Sequence, residues 1–188
     1  MSVNEHQMSP ADIRRLLDVL AERLASEGID AHIHVIGGSA IALLFPDDRE
    51  TRFTTDIDAT VSPSRSVNKV VATIADDLNL SPTWFNVNAS PFVPPRENSG
   101  ASKTGVTITI ASVEELIAMK LAAARHHDLF DLGLLARHAG ITDPQQLVDI
   151  AFDAYGEDSM VLTDSRDDYL VLARQAIDAE KRRSGSRS

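Results

Sequence analysis

Two short groups of residues have the types and spacing that chemistry requires, Gly37-Gly38-Ser39 and Asp56-Ile57-Asp58. Residues two apart on a β-strand project from the same face, so Asp56 and Asp58 would direct two carboxylates at one point. Their mutual repulsion is relieved most naturally by Mg²⁺, a divalent cation that prefers oxygen ligands. The alternative for an isolated pair of this kind is two hydrated surface acids at the start of a strand.

The glycine group follows an apolar run and precedes a short apolar segment, which is typical of a turn from a strand into a helix. Glycine lets the backbone adopt positive φ and approach a ligand closely, and amides at a helix N-terminus bind phosphate. The Ser39 hydroxyl would add a further donor. The alternative is an ordinary turn, but both groups together suit phosphoryl or nucleotidyl transfer, because a cation on the aspartates could bridge phosphates held by the turn.

The elements that must position these groups mix strands and helices in the front half and are all helical in the back half. The proline-rich stretch 80–104 is expected to be irregular, with Trp84 in the core rather than stacked on a base. The predicted elements are a helix from Ser9-Pro10 to Gly28, strands at 32–36, 57–61 and 106–110, a short helix at 39–44, a helix from Ser64 or Ser66 to 78, and helices from Ser112 and at 128–137, 144–155 and 164–179.

Composition restricts the class of protein. The 188 residues suit one domain with a small helical annex, and the chain has no cysteine with which to form a disulfide or a thiolate metal site. It has no apolar run of roughly 18 residues and no signal-peptide pattern, so we expect a cytoplasmic protein that does not contact a membrane. The net charge of −10, from 18 basic and 28 acidic residues, weakens the prospect of nucleic-acid binding.

Three motifs in order resemble those of polymerase β-type nucleotidyltransferases, and most closely the AbiEii-type toxin subgroup that includes the MenT toxins. The first is residues 35–43 together with Asp56-Ile57-Asp58. The second is residues 112–120, which resemble the helix that bears an essential lysine, here Lys120. The third is Asp128-Leu129-Phe130-Asp131, which resembles an Asp-x-x-Asp motif. The resemblance covers about residues 33–135.

The resemblance implies an α+β fold with a minimal nucleotidyltransferase core, a short mixed sheet with flanking helices, in residues 1–110. Residues 111–180 would form a helical part that completes the active site. The composition of 181–188, a short basic run with Ser and Gly, predicts a disordered tail. The substrate would be an NTP with Mg²⁺, as one ion or two. The acceptor would be a tRNA 3′ end, and the partner an antitoxin. The implied roles are phosphate binding by Gly37, Gly38 and Ser39, metal binding by Asp56 and Asp58, contact with the triphosphate by Lys120, and catalysis by Asp128 or Asp131.

One departure from the family pattern leaves alternatives open. These enzymes carry a third carboxylate on a later strand, whereas the strand predicted at 105–110 has Thr107 and Thr109 at its alternating positions. Asp128 or Asp131 would then supply the base, or the chain is an inactive nucleotidyltransferase fold used for binding. A further alternative keeps the chemistry and makes the acceptor a small molecule or a protein side chain.

Overall fold

The computed structural model describes residues 7–87, 92–95, 104–125 and 128–185. These residues form a four-stranded sheet and seven helices, divided between two compact units. The first unit takes the described residues within 1–90 and 98–111, and the second takes those within 91–97 and 112–188. The predicted α+β class is confirmed. No helix in these ranges has the length and apolar content that crossing a bilayer requires.

The first unit contains the whole sheet, whose strand order is β3-β2-β1-β4. Strand β1 pairs antiparallel with β2 and parallel with β4, and β2 pairs parallel with β3, so the sheet is mixed. Its elements are α1 Pro10–Ser26, β1 Ala31–Val35, α2 Gly37–Leu44, β2 Ile57–Ser62, α3 Ser64–Leu78, β3 Phe85–Asn86 and β4 Val106–Ile110.

Local sequence signals explain how the helices of this unit begin and pack. The Ser9 hydroxyl caps α1 by accepting a hydrogen bond from the Asp12 amide. The Asp12 carboxylate accepts one from the Ser9 amide, which completes a capping box. The residues of α1 that recur at helical spacing are fully or almost fully buried. Helix α3 starts at Ser64, one of the two predicted starts, and its N-cap is Pro63, so neither Ser64 nor Ser66 caps the helix.

The stretch 80–104 is not irregular throughout, because it contains β3. Trp84 is 2% exposed and its indole N–H donates to the Val71 carbonyl at 3.2 Å, which confirms that it belongs to the core. Phe85 is buried beside it, with the two ring centroids 5.4 Å apart. Sequence reasoning missed this strand because two residues are too few to show alternation, and prolines surround them.

The second unit is helical, with α4 Val113–Ala123, α5 Asp128–His138, α6 Pro144–Tyr155 and α7 Arg166–Gly185. Ser112 caps α4 through the Glu115 amide, as predicted. Helix α5 packs closely on α7, because a Cβ on Gly133 would lie 2.7 Å from the Ala176 carbonyl oxygen. Residues 181–185 are helical, so the predicted disordered tail is wrong for them, and 186–188 lie outside the described residues.

A buried carboxylate also joins α5 and α7. Glu180 of α7 is 5% exposed and accepts from Arg137 of α5 at 2.7 Å, from Arg183 at 2.6 Å and from Ser184 at 3.0 Å. Burial alone would raise the pKa of Glu180, but the hydrogen bonds from Arg183 and Ser184 and the nearby charges hold it below its usual value. Glu180 is therefore a structural ion-pair centre within this unit.

Candidate functional site

The turn between β1 and α2 requires glycine at its first position for two reasons. Gly37 has a φ of +64°, a region that residues with a Cβ adopt only at a cost. A Cβ at this position would also lie 2.5 Å from Oδ2 of Asp58 and 3.2 Å from its Cβ and Cγ. The Ile36 amide donates to the Asp58 carbonyl at 2.9 Å, which holds the turn against β2. The Asp58 carboxylate therefore lies directly against the glycine turn.

The hydroxyl of Ser39 is part of the same scaffold. Ser39 is fully buried, and its Oγ donates to the Ile36 carbonyl at 2.9 Å and accepts from the Asp58 amide at 3.2 Å. A hydroxyl has one hydrogen to donate, and here the Ile36 carbonyl takes it. In this geometry the side chain positions Asp58, so the expectation that the hydroxyl itself serves as a phosphate donor has to be revised.

Gly38 differs from Gly37 in its surroundings. A Cβ added to Gly38 would meet no atom within 4 Å, so the space in front of this residue is open. Helix α2 begins without a side-chain cap and without an acidic residue in its first turn. The positive end of the helix dipole is therefore not neutralised by a side chain of the helix itself, which suits a negatively charged group.

Asp56 and Asp58 flank the buried Ile57, and both are partly exposed. Strand β3 runs parallel to β2 and pairs Asp58 with Asn86. The Asn86 Nδ2 donates to Oδ1 of Asp58 at 2.9 Å and approaches Oδ2 of Asp56 at 3.4 Å. A single nitrogen atom thus lies within hydrogen-bonding distance of both carboxylates.

Asn86 is a site residue that sequence reasoning missed. The sequence suggested the strand at 105–110, which is β4, as the place for a third polar group. In the structure β4 pairs with β1, and β1 separates it from β2. The strand next to the aspartates is β3, and its residue at this position is an amide. The signal that could have found it is a polar residue directly after two consecutive aromatic residues, which indicate a buried segment.

The described part of the chain contains no group of three or more His, Cys, Asp or Glu side chains arranged to hold a metal. The aspartate pair supplies two carboxylates, and the neighbouring amide supplies one neutral oxygen in addition to its nitrogen. This donor set is made of hard oxygens, which suits Mg²⁺ or Mn²⁺ and not a thiolate- or imidazole-preferring metal.

The second unit brings together Lys120, Asp128 and Asp131. The Lys120 Nζ lies 2.7 Å from an oxygen of each aspartate, and its side chain is 14% exposed. Helix α4 ends next to Ala124, which has a left-handed conformation, and the two acidic residues in the first turn of α5 face the lysine. Burial alone would lower the pKa of Lys120, but the two carboxylates outweigh it and the pKa is raised.

The cluster shows that Lys120 is not a solvated surface lysine. Two carboxylates hold its ammonium group in a largely buried position. The equal distances do not favour either aspartate as the functional one. The structure therefore brings together two sets of predicted residues, each within its own unit: Gly37, Gly38, Ser39, Asp56 and Asp58 in the first, and Lys120, Asp128 and Asp131 in the second.

Comparison with known proteins gives one match. A family model described as a nucleotidyltransferase of unknown function, DUF6036, matches residues 14–182 and so covers most of the chain. No curated protein matches the sequence. No solved structure matches the fold.

Proposed function

The chain belongs to the nucleotidyltransferase family DUF6036, and from that premise we propose that it is a Mg²⁺-dependent enzyme. It transfers a nucleoside monophosphate from an NTP to an acceptor hydroxyl and releases pyrophosphate. The observation that carries the proposal is the position of one atom, the Nδ2 of Asn86, within 2.9 and 3.4 Å of the two carboxylates. A cation that took the place of this donor would contact both Asp58 and Asp56.

The phosphate end of the proposed site is supported by the glycine turn. The Asp58 carboxylate lies so close to Gly37 that a Cβ would collide with it, so a cation on Asp58 would be adjacent to the start of α2. The open space at Gly38 and the uncapped helix end suit phosphate oxygens. Backbone amides of the turn, rather than the Ser39 hydroxyl, would hold the β- and γ-phosphates.

In the reaction, the acceptor oxygen forms a bond to the α-phosphorus and the bond from that phosphorus to the β-phosphate oxygen breaks. Pyrophosphate leaves with the electron pair, and the acceptor proton passes to a base or to solvent. Bound Mg²⁺ would neutralise charge on the phosphates. Asn86 cannot take up a proton, so the amide next to the pair is not the general base. The predicted roles of Lys120 at the triphosphate and of Asp128 or Asp131 at the acceptor stay predictions.

The acceptor is the finer part of the proposal. Resemblance to the AbiEii and MenT toxins supports a tRNA 3′ end, a growth-inhibiting role and an antitoxin partner. The net charge of −10 supports a small molecule or a protein side chain instead, because phosphate backbones are held mainly by Lys and Arg. Salt separates these acceptors, since labelling of an RNA should fall steeply as the salt concentration rises.

The test is incubation of the purified protein with Mg²⁺, total cellular RNA and each α-³²P-labelled NTP in turn. Asp56→Asn removes one of the two negative charges and keeps the side-chain shape. Asp76→Asn, an exposed aspartate of α3, is the matched control. We expect label on a tRNA-sized band with wild type and Asp76→Asn, and none with Asp56→Asn.

Two other outcomes would change the acceptor or refute the enzyme. Label on a small molecule or on protein in a cell extract, again dependent on Asp56, would keep the transferase and replace tRNA as the acceptor. No transfer with any NTP and any acceptor fraction would refute the enzyme. It would leave the inactive, ligand-binding fold, for which the amide at position 86 in place of a carboxylate is the supporting observation.

A further inference from the structure

The Asn86 side chain lies where the carboxylates of Asp56, which precedes β2, and Asp58, which is in β2, converge. Register fixes its backbone opposite Asp58, and the side chain is partly buried. Its amide nitrogen faces Oδ1 of Asp58 and Oδ2 of Asp56. The N–H donors therefore occupy the position where a cation would relieve the repulsion between the carboxylates.

A primary amide cannot keep this orientation when a cation enters. An NH₂ group carries partial positive charge and has no lone pair to offer a metal, whereas the carbonyl oxygen of the same amide is a good ligand for Mg²⁺ or Mn²⁺. Conversely, the oxygen would be repelled by two carboxylates if no cation were present. Nitrogen and oxygen have nearly the same size, so a half-turn about the Cβ–Cγ bond exchanges them without a change of volume.

We propose that Asn86 is the third ligand of the divalent cation and that its amide turns over when the cation binds. Without a cation the NH₂ group bridges the two aspartates, and with one the Oδ1 coordinates it. This inference rests on the proposed cation site at Asp56 and Asp58. It also gives the site a low charge, because two carboxylates and a neutral amide hold a cation less tightly than three carboxylates would.

The low charge has a functional consequence. A weak cation site is filled most readily when nucleotide phosphates bring further oxygen ligands, so the cation enters with the NTP. Asn86 thus makes cation binding depend on substrate and avoids a permanently occupied site. Asn86→Asp should remove this dependence by adding a third negative charge.

Metal binding by the full-length protein tests the proposal without any measurement of activity. Mn²⁺ binding is followed by isothermal titration calorimetry and by the electron paramagnetic resonance signal of the free ion. We expect Asn86→Ala to weaken binding by at least about tenfold, because loss of a direct ligand should cost no less than the roughly 10–100-fold seen when a residue that only supports the ligands is lost. Asn86→Asp should strengthen binding, because it adds a negative charge. Asn68→Ala, an exposed asparagine of α3, should bind as wild type does.

The turnover of the amide is tested on the wild-type protein by NMR with ¹⁵N-labelled asparagine and Mg²⁺. The Asn86 side-chain NH₂ resonance, assigned by triple-resonance experiments on uniformly labelled wild-type protein, should shift on titration as its protons leave the carboxylates. An unchanged resonance under conditions where Mg²⁺ binds would overturn the proposal, and this measurement does not depend on a variant that folds.

The two proposals fail in different ways. If wild type binds Mn²⁺, Asp56→Asn does not, and Asn86→Ala binds as tightly as wild type, then Asn86 is not a ligand and the cation site survives. If wild type binds no Mn²⁺ with or without a nucleotide, the cation site of the proposed function is wrong, and the role of Asn86 falls with it.

Discussion

Gly37→Ala is the substitution for which the structure predicts the most specific damage. A Cβ at this position would lie 2.5 Å from Oδ2 of Asp58, well inside van der Waals contact, and the φ of +64° is unfavourable for alanine. Gly38→Ala is its neighbour and matched control, because a Cβ there meets no atom within 4 Å. Comparing the two variants separates the cost of a clash from the cost of adding a methyl group to the turn.

The size of the effect follows from two contributions. A left-handed conformation costs a residue with a Cβ about 1–2 kcal/mol. The Asp58 carboxylate must also move, which disturbs its charged hydrogen bond from Asn86, a contact of a kind worth about 1.5–3 kcal/mol. Gly37→Ala should therefore lower the free energy of unfolding by about 2.5–5 kcal/mol. Gly38→Ala should change it by less than about 1 kcal/mol, the difference in helix propensity.

Urea unfolding followed by circular dichroism measures both values. Mn²⁺ titration then measures the consequence at the site, where Gly37→Ala should weaken binding through the displaced Asp58 and Gly38→Ala should not. If nucleotide phosphates occupy the open space at Gly38, Gly38→Ala should raise the KM for the NTP without a loss of stability. Gly37→Ala should not show this combination, because it also destabilises the protein. Equal stability of Gly37→Ala and Gly38→Ala would refute the close approach of Asp58 to the turn.

Three further substitutions test other contacts by urea unfolding. Lys120→Met leaves two largely buried carboxylates without their cation and should destabilise the protein by about 3–5 kcal/mol. Because the pKa of Lys120 is raised above 10.5, this contribution is fully present below pH 10.5 and is lost only as the pH rises through the raised value. Glu180→Gln should lower the free energy of unfolding by about 2 kcal/mol near neutral pH. Because the pKa of Glu180 is lowered from 4.5, this difference in stability from wild type should disappear as the pH falls from 4.5 through the lowered pKa. Ser39→Ala removes the hydroxyl that accepts from the partly buried Asp58 amide and should lower the free energy of unfolding by about 1–3 kcal/mol. It should also weaken Mn²⁺ binding.

Much of the fold could be predicted from the sequence because its signals are local. Ser9, Pro10 and Asp12 specify the start of α1, and Ser112 specifies the start of α4, through hydrogen bonds that span three residues. Hydrophobic periodicity identified the long helices. These signals need no knowledge of which elements meet in space.

The composition of the site could be predicted only in part, because strand order is not a local property. The sequence shows that Asp56 and Asp58 share a face, but it does not show which strand lies beside them. Here β3 does, although it has two residues and lies in a proline-rich stretch. The register of β2 and β3, which the sequence does not show, is therefore what identifies Asn86 as a neighbour of the aspartates.

At Ser39 the structure shows an internal contact where the sequence pattern predicts a phosphate donor. Its position after two glycines suggests a phosphate donor, but the hydroxyl is buried and joins the Ile36 carbonyl to the Asp58 amide. The glycine turn and the aspartate strand are thus one structural unit, held by Ser39 on the inside and by the Gly37–Asp58 contact on the outside. Substitutions at Gly37 and Ser39 should therefore act on the proposed cation site through Asp58, even though neither residue would coordinate the cation.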